Sequence, residues 1–113
     1  MVGAAADVAP LSTEAFLIAD DQLNVCSVSR SAEELLDVPA TRVISRPLTE
    51  VLVPADADGQ AGRDLAALVS WAARADVEPE TRFVRPTRLF GVRLRARVAH
   101  CGPPDGALVI LSV

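Results

Sequence analysis

The chain has 113 residues, half of them hydrophobic, with fifteen acids against eleven basic residues for a net charge of −4. That length holds one core without metal or disulfide staples, and that apolar content excludes global disorder. The longest apolar runs are five residues, at 15–19, 65–69 and 107–111, whereas a membrane-spanning helix needs about twenty.

Residues 1–12 (MVGAAADVAPLS) are small, weakly patterned and broken by Pro10. Residues 1–13 are read as a flexible or helical lead, and 14–113 as a single domain. Residues 14–20 (EAFLIAD) form an apolar run ended by the turn formers Asp20, Asp21 and Gln22. Residues 23–28 (LNVCSV) resume with β-branched side chains. Two such runs about a polar turn predict a hairpin. A helix then opens, with Ser31 and Glu34 at capping-box spacing and Ser29 as the alternative cap. Pro39 stops it. Within residues 41–53, Pro47 suits the first turn of a short helix. Residues 54–59 read as a loop. The clearest helix is 61–75, where Leu65, Leu68, Val69 and Ala72 share one face.

Beyond Pro79 the period becomes two. Residues 80–85 read as a strand and 86–88 as a turn. From 92 to 98, Val92, Leu94, Ala96 and Val98 alternate with Arg93, Arg95 and Arg97, so one face is apolar and the other cationic. Residues 102–106 (GPPDG) turn the chain. Residues 107–113 (ALVILSV) are apolar at both parities until Ser112, which predicts a central strand covered on both faces. Strands grouped apart from helices indicate an α+β domain with an antiparallel sheet.

Residues 23–56 resemble the PAS family. The strand LNVCSV runs into SRSAEELL, with Ser29 where the family often has Asn and Asp37 where it often has Gly. Val43-Ile44-Ser45-Arg46-Pro47-Leu48, then Leu52-Val53-Pro54-Ala55-Asp56, is similar to the family's run of two apolar residues, G-R-P-L, and later L-x-P-x-D. Ser45 replaces its Gly. The resemblance implies a five-stranded antiparallel sheet in the order 2-1-5-4-3, with the helices on one face around a pocket and the last strand central. It also implies an Asp-x-Thr motif and linker helix leading to an output domain. The chain stops at Val113 before any such motif, so a segment of a longer signalling protein is expected.

Haem-binding relatives carry a ligand His on the helix corresponding to 61–75, and this stretch has none. Light-oxygen-voltage relatives carry a Cys before that helix, and 56–63 has none. No haem and no covalent flavin are therefore expected, while a non-covalent small molecule stays open. His100 and Cys101 fall short of the four ligands of structural zinc. Being adjacent on a strand, they point to opposite faces and make a poor base–nucleophile pair. Cys26 and Cys101 are expected buried and reduced, since only Arg30 is basic in the first thirty residues and no secretory signal precedes them. A cytoplasmic protein follows.

The eleven basic residues are all Arg, with a net of −9 over residues 1–80 and +5 over 81–113. Guanidinium groups at 93, 95 and 97 would stand about 6.6–6.8 Å apart along one face. No aromatic residue is interleaved for base stacking, so a solvated or carboxylate-paired face is favoured over nucleic acid. Trp71 lies off the main helical stripe, and plain core packing is its expected role.

These observations combine into a PAS-like sensory and dimerisation module rather than an enzyme, with neither nucleic acid nor membrane as partner. The module would bind a small apolar ligand or a protein partner; a ligand would sit between the long helix and the inner sheet face, lined by Leu36, Val51, Leu65, Leu68, Val92 and Leu94. A homodimer would form through the outer sheet face, using Phe16 or Leu17 and Val109 or Leu111, whichever face outward. The alternatives are a small α+β enzyme with ionisable groups in its pocket and a structural interaction domain with a filled core.

Overall fold

In the computed structural model of the protein, residues 14–55, 59–75, 78–89, 91–102 and 105–113 are described; the lead at 1–13 lies outside them. Strand β1 (Ala15–Asp20) buries Ala15, Leu17 and Ala19 while the residues between them stay half-exposed. Asp20 ends it, because its Oδ1 accepts the N–H groups of Gln22 and Asn24 at 2.9 Å each. This side-chain turn reverses the chain into β2 (Val25–Val28).

Helix α1 (Arg30–Leu36) is capped by Ser29, whose Oγ accepts the Ala32 N–H at 3.2 Å. The same hydroxyl accepts the Phe16 N–H at 2.9 Å and donates to the Glu14 carbonyl at 3.0 Å. The Ser31–Glu34 box is therefore not the cap: Ser29 serves the helix and β1 together, and Ser31 cannot. Asp37 closes the helix in the left-handed region, at φ +55. Its N–H and that of Val38 reach back to the Glu34 and Glu33 carbonyls at 3.3 and 3.1 Å, a Schellman arrangement.

Two 3-10 turns follow, Ala40–Arg42 and Leu48–Glu50, where a single short helix was expected. Strand β3 (Leu52–Pro54) comes next, then helix α2 (Gly59–Arg74) and strands β4 (Glu80–Pro86), β5 (Leu94–Cys101) and β6 (Gly106–Ser112). The sheet has six antiparallel strands in the order β2-β1-β6-β5-β4-β3, not five in the order 2-1-5-4-3. The addition is β3, which pairs with β4 through Leu52↔Pro86, Val53↔Arg85 and Pro54↔Val84. Three residues are too few to display a period of two, and Pro54 is tolerated because this strand is an edge.

Strand β6 is central, between β1 and β5. Its register places Leu17 opposite Val109 and Val98 opposite Val109, so these three share the inner face. Leu65, Leu68, Val69, Ala72 and Ala73 of α2 belong to the same buried cluster as this face, and α2 packs chiefly on β5 and β6. The outer face carries the pairs Phe16↔Ile110 and Ile18↔Leu108, and beyond them Arg97 opposite Ile110 and Arg95 opposite Phe83. At the end of β5, His100 Nδ1 lies 2.8 Å from the Ala72 carbonyl oxygen. That oxygen is in the last turn of α2, where a helix cannot satisfy its own carbonyls.

Candidate functional site

The segment from Asp37 to Ala55 crosses between the two edges of the sheet. At one edge the Ser45 N–H donates to the Val25 carbonyl at 2.7 Å, the Val25 N–H to the Arg46 carbonyl at 2.9 Å, and the Leu48 N–H to the Leu23 carbonyl at 2.7 Å. These bonds cover the open side of β2, which an exposed edge strand needs. At the other edge the Thr87 N–H donates to the Val51 carbonyl at 3.0 Å, and Thr87 Oγ1 donates to the Glu50 carbonyl at 2.8 Å. Ser45 adopts φ +72. The two positions where the family resemblance expects Gly, 37 and 45, are thus both left-handed, and that is the physical reason for Gly there.

A cleft of about 470 Å³ opens beside this segment. Leu36, Val43 and Val51, all buried, form its apolar floor, with Val38 half-buried beside them. Its rim carries Arg42, Arg46 and Arg88 against one acid, Glu50. None of the three Arg side chains makes a hydrogen bond or ion pair among the described residues. Other arginines are engaged: Arg82 pairs with Glu80 at 2.8 Å, and Arg93 lies over the Phe83 ring at 4.1 Å, a cation–π contact.

Of the six residues expected to line a pocket, Leu36 and Val51 line this cleft. Leu65, Leu68 and Leu94 are buried in the core between α2 and the sheet, and Val92 packs against that core half-buried. Of the four expected at an interface, Phe16 lies on the outer face. Leu17, Val109 and Leu111 are 0%, 1% and 3% exposed and face the helix layer. The outward apolar residues are Phe16, Ile18, Leu108 and Ile110. The sequence could not reveal this parity, because residues 107–111 are apolar at every position and only the register with β5 separates their faces. Arg42, Thr41, Thr87 and Arg88 of the cleft carry no periodic signal. Only Arg46 stood out, through its motif.

Trp71 is 60% exposed, not in the core. It lies between the buried positions 68 and 72 on the solvent side of α2. Both cysteines are free, and neither is buried as expected: Cys26 is exposed and Cys101 half-buried. Partial desolvation, reinforced by the Asp20 carboxylate, holds the Cys26 thiol above its ordinary value despite a hydrogen bond acting the other way. The unreactive thiol form therefore dominates at neutral pH. Among the described residues, no three His, Cys, Asp or Glu side chains gather closely enough to hold a metal ion, and no helix is long and apolar enough to cross a membrane.

Comparison with known proteins agrees with this architecture. A family model described as the PAS fold matches residues 11–113. The structure is similar to the PAS domain of an HTR-like protein from Haloarcula marismortui, with TM-score 0.67 and 14% identity over 90% of this chain and 82% of that one. It is also similar to the PAS domain of nitrogen regulation protein NR(II) from Vibrio parahaemolyticus, with TM-score 0.61 and 19% identity over 91% and 90% of the two chains. A domain of a sensory box sensor histidine kinase/response regulator from Geobacter sulfurreducens superposes with TM-score 0.67 and 11% identity over 98% and 92%. Among curated proteins, no relative matches this sequence.

Proposed function

Because this chain belongs to the PAS fold family, we propose that it is a sensory and dimerisation module that binds a small molecule non-covalently and passes the signal to an output domain outside this chain. The observation that carries this reading is the cleft. Its walls come from α1, the crossing segment and the turn after β4, so one occupant touches three elements at once. A ligand there favours one arrangement of crossing segment and sheet over another, by as much as its affinities for the two differ.

The outer sheet face supplies the second half of the proposal. Phe16, Ile18 and Ile110, each half-buried, adjoin one another and the buried Leu108 across the β1–β6 ladder, and a contiguous apolar patch on a sheet is a candidate interaction site. A symmetric homodimer is the commonest closed assembly that covers it. The similar structures come from sensor and regulatory proteins, which supports a signalling role rather than an enzymatic one; we place that role in the cytoplasm. No haem is invoked: the chain's one histidine, His100, stands at the end of β5, and the residues lining the cleft include no histidine.

Sedimentation and an absorption spectrum test this reading together. The expected result is a colourless dimer that Ile110→Glu converts to monomer while Leu108 and Phe16 stay in place. A clean monomer at about a hundred micromolar would leave only very weak self-association and overturn the dimer. A Soret band or a stoichiometric flavin spectrum would overturn the colourless small-molecule reading. One observation favours a second reading, a structural interaction domain with a filled core: Leu65, Leu68 and Leu94 lie in one continuous buried cluster. That reading requires dimerisation with no small molecule bound at the cleft.

A further inference from the structure

We propose that the cleft receives a small organic anion, a carboxylate carried on a short apolar body; this deepens the sensory reading and rests on it. The floor and the rim make separate demands. Leu36, Val43 and Val51 offer a buried apolar surface, which calls for a hydrocarbon body. Arg42, Arg46 and Arg88 surround it with only Glu50 in opposition, which calls for negative charge. The guanidinium fork matches a carboxylate with two parallel hydrogen bonds. The volume of about 470 Å³ falls within the range of small-molecule sites.

The charge balance of the chain makes this arrangement notable. Residues 1–80 carry a net of −9 and only five Arg, yet two of those five, Arg42 and Arg46, stand on this rim. They are joined there by Arg88 from the far side of the sheet. Glu50 is the one acid of the lining, and Glu33 on α1 is turned to the Ala40 N–H at 2.7 Å. No carboxylate is spent on the three guanidinium groups among the described residues. Their backbones, by contrast, are fixed. Arg46 is held by its carbonyl bond from Val25, Arg42 by its N–H bond to Pro39 at 3.0 Å, and Arg88 follows Thr87, which is bonded twice to the crossing segment. Fixed backbones reduce the ordering cost of binding an anion, which then falls on the guanidinium arms alone.

The test is an amide chemical-shift titration of the whole chain with hexanoate and benzoate. Hexanol serves as the uncharged body and inorganic phosphate as the bodiless anion. The expected result is saturable shifts confined to residues 36–51 and 87–88, with the carboxylates at least tenfold tighter than either control. Arg46→Gln combined with Arg88→Gln weakens the carboxylates at least tenfold while the amide spectrum elsewhere and the melting temperature stay unchanged. If hexanol binds as tightly as hexanoate, the anion inference falls and the apolar-ligand reading of the module stands. If neither carboxylate saturates by about 10 mM, an affinity weaker than roughly 3 kcal/mol, the inference falls outright. Carboxylate binding that the Arg→Gln pair leaves intact overturns it as well. If an acidic peptide alone saturates these amides, the occupant is a protein segment and the small-anion inference is overturned.

Discussion

Leu17 in β1 and Arg46 in the crossing segment belong to regions held by different means. Leu17 sits between β2 and β6, paired on both sides by ladder hydrogen bonds and wholly buried. Arg46 lies on a stretch with two 3-10 turns and left-handed residues at its bends. It is anchored to each sheet edge by only a few bonds, and its side chain is exposed. The sheet centre owes its place to burial, whose effect is non-directional and large. The crossing segment also buries Val43, Leu48, Val51 and Leu52, but the path between them is set by individual hydrogen bonds, each worth about 0.5–1.5 kcal/mol net. Stability is concentrated in the first region, while charge and adaptable shape are concentrated in the second.

Substitutions test this division, and the largest effect belongs to the centre. Leu17→Ala, and likewise Leu68→Ala on the α2 side of the same core, should each cost about 2–5 kcal/mol in denaturant unfolding, from lost burial and the cavity left behind. A loss below about 0.5 kcal/mol would mean that the layer is not packed as described. Ser29→Ala comes next. It removes the α1 cap and the hydroxyl bonds to Phe16 and Glu14, for about 1–2 kcal/mol. Thermal melts followed by circular dichroism check it, and an unchanged midpoint would detach the cap from the fold.

Ser45→Gly should have the opposite sign. A non-Gly residue in the left-handed region costs about 1–2 kcal/mol, and Gly gives back part of that gain through its freer unfolded chain. The net expectation is a stabilisation of about 0.5–1 kcal/mol, with Asp37→Gly smaller because Asp tolerates that region better. A destabilised Ser45→Gly would show that the Ser45 hydroxyl, not the backbone, fixes the bend. The smallest effect belongs to the rim: Arg42→Gln should change stability by no more than about 0.5 kcal/mol, because its side chain has no partner to lose among the described residues. A larger loss would tie the rim to the fold and blur the division between the regions.

The same division explains what could be read from the sequence. Where a strand is half-buried, alternation exposes it, as Val92 to Val98 did for β5, and the five-residue apolar run marked β6 as central. Helix α2 followed from Leu65, Leu68, Val69 and Ala72. The crossing segment was legible only through its resemblance to a family run, because hydrogen-bonded bends and 3-10 turns leave no period. Strand β3 was missed for that reason. The faces of β6 are ambiguous in the sequence because parity has no meaning in a run with no polar member, so Val109 and Leu111 stand there as interface candidates although the register turns both inward. The cleft was half visible: its apolar floor includes Leu36 and Val51, but its arginines converge from positions 42, 46 and 88, and only the fold joins them.

The central place of β6 has a consequence for the order of assembly. Strand β1 pairs only with β2 and β6, and β5 only with β4 and β6. Two hairpins, one early and one late in the chain, therefore have no ladder between them until β6 arrives, and Phe16 meets Ile110 across more than ninety residues. Contacts of such sequence separation slow the search for the native state, since the loop must close before its contacts repay it. During synthesis, a chain that has emerged through β5 carries two apolar faces and the unpaired edges of β1 and β5, the features that make partial chains prone to aggregate. The commitment to this fold waits for residues 106–112.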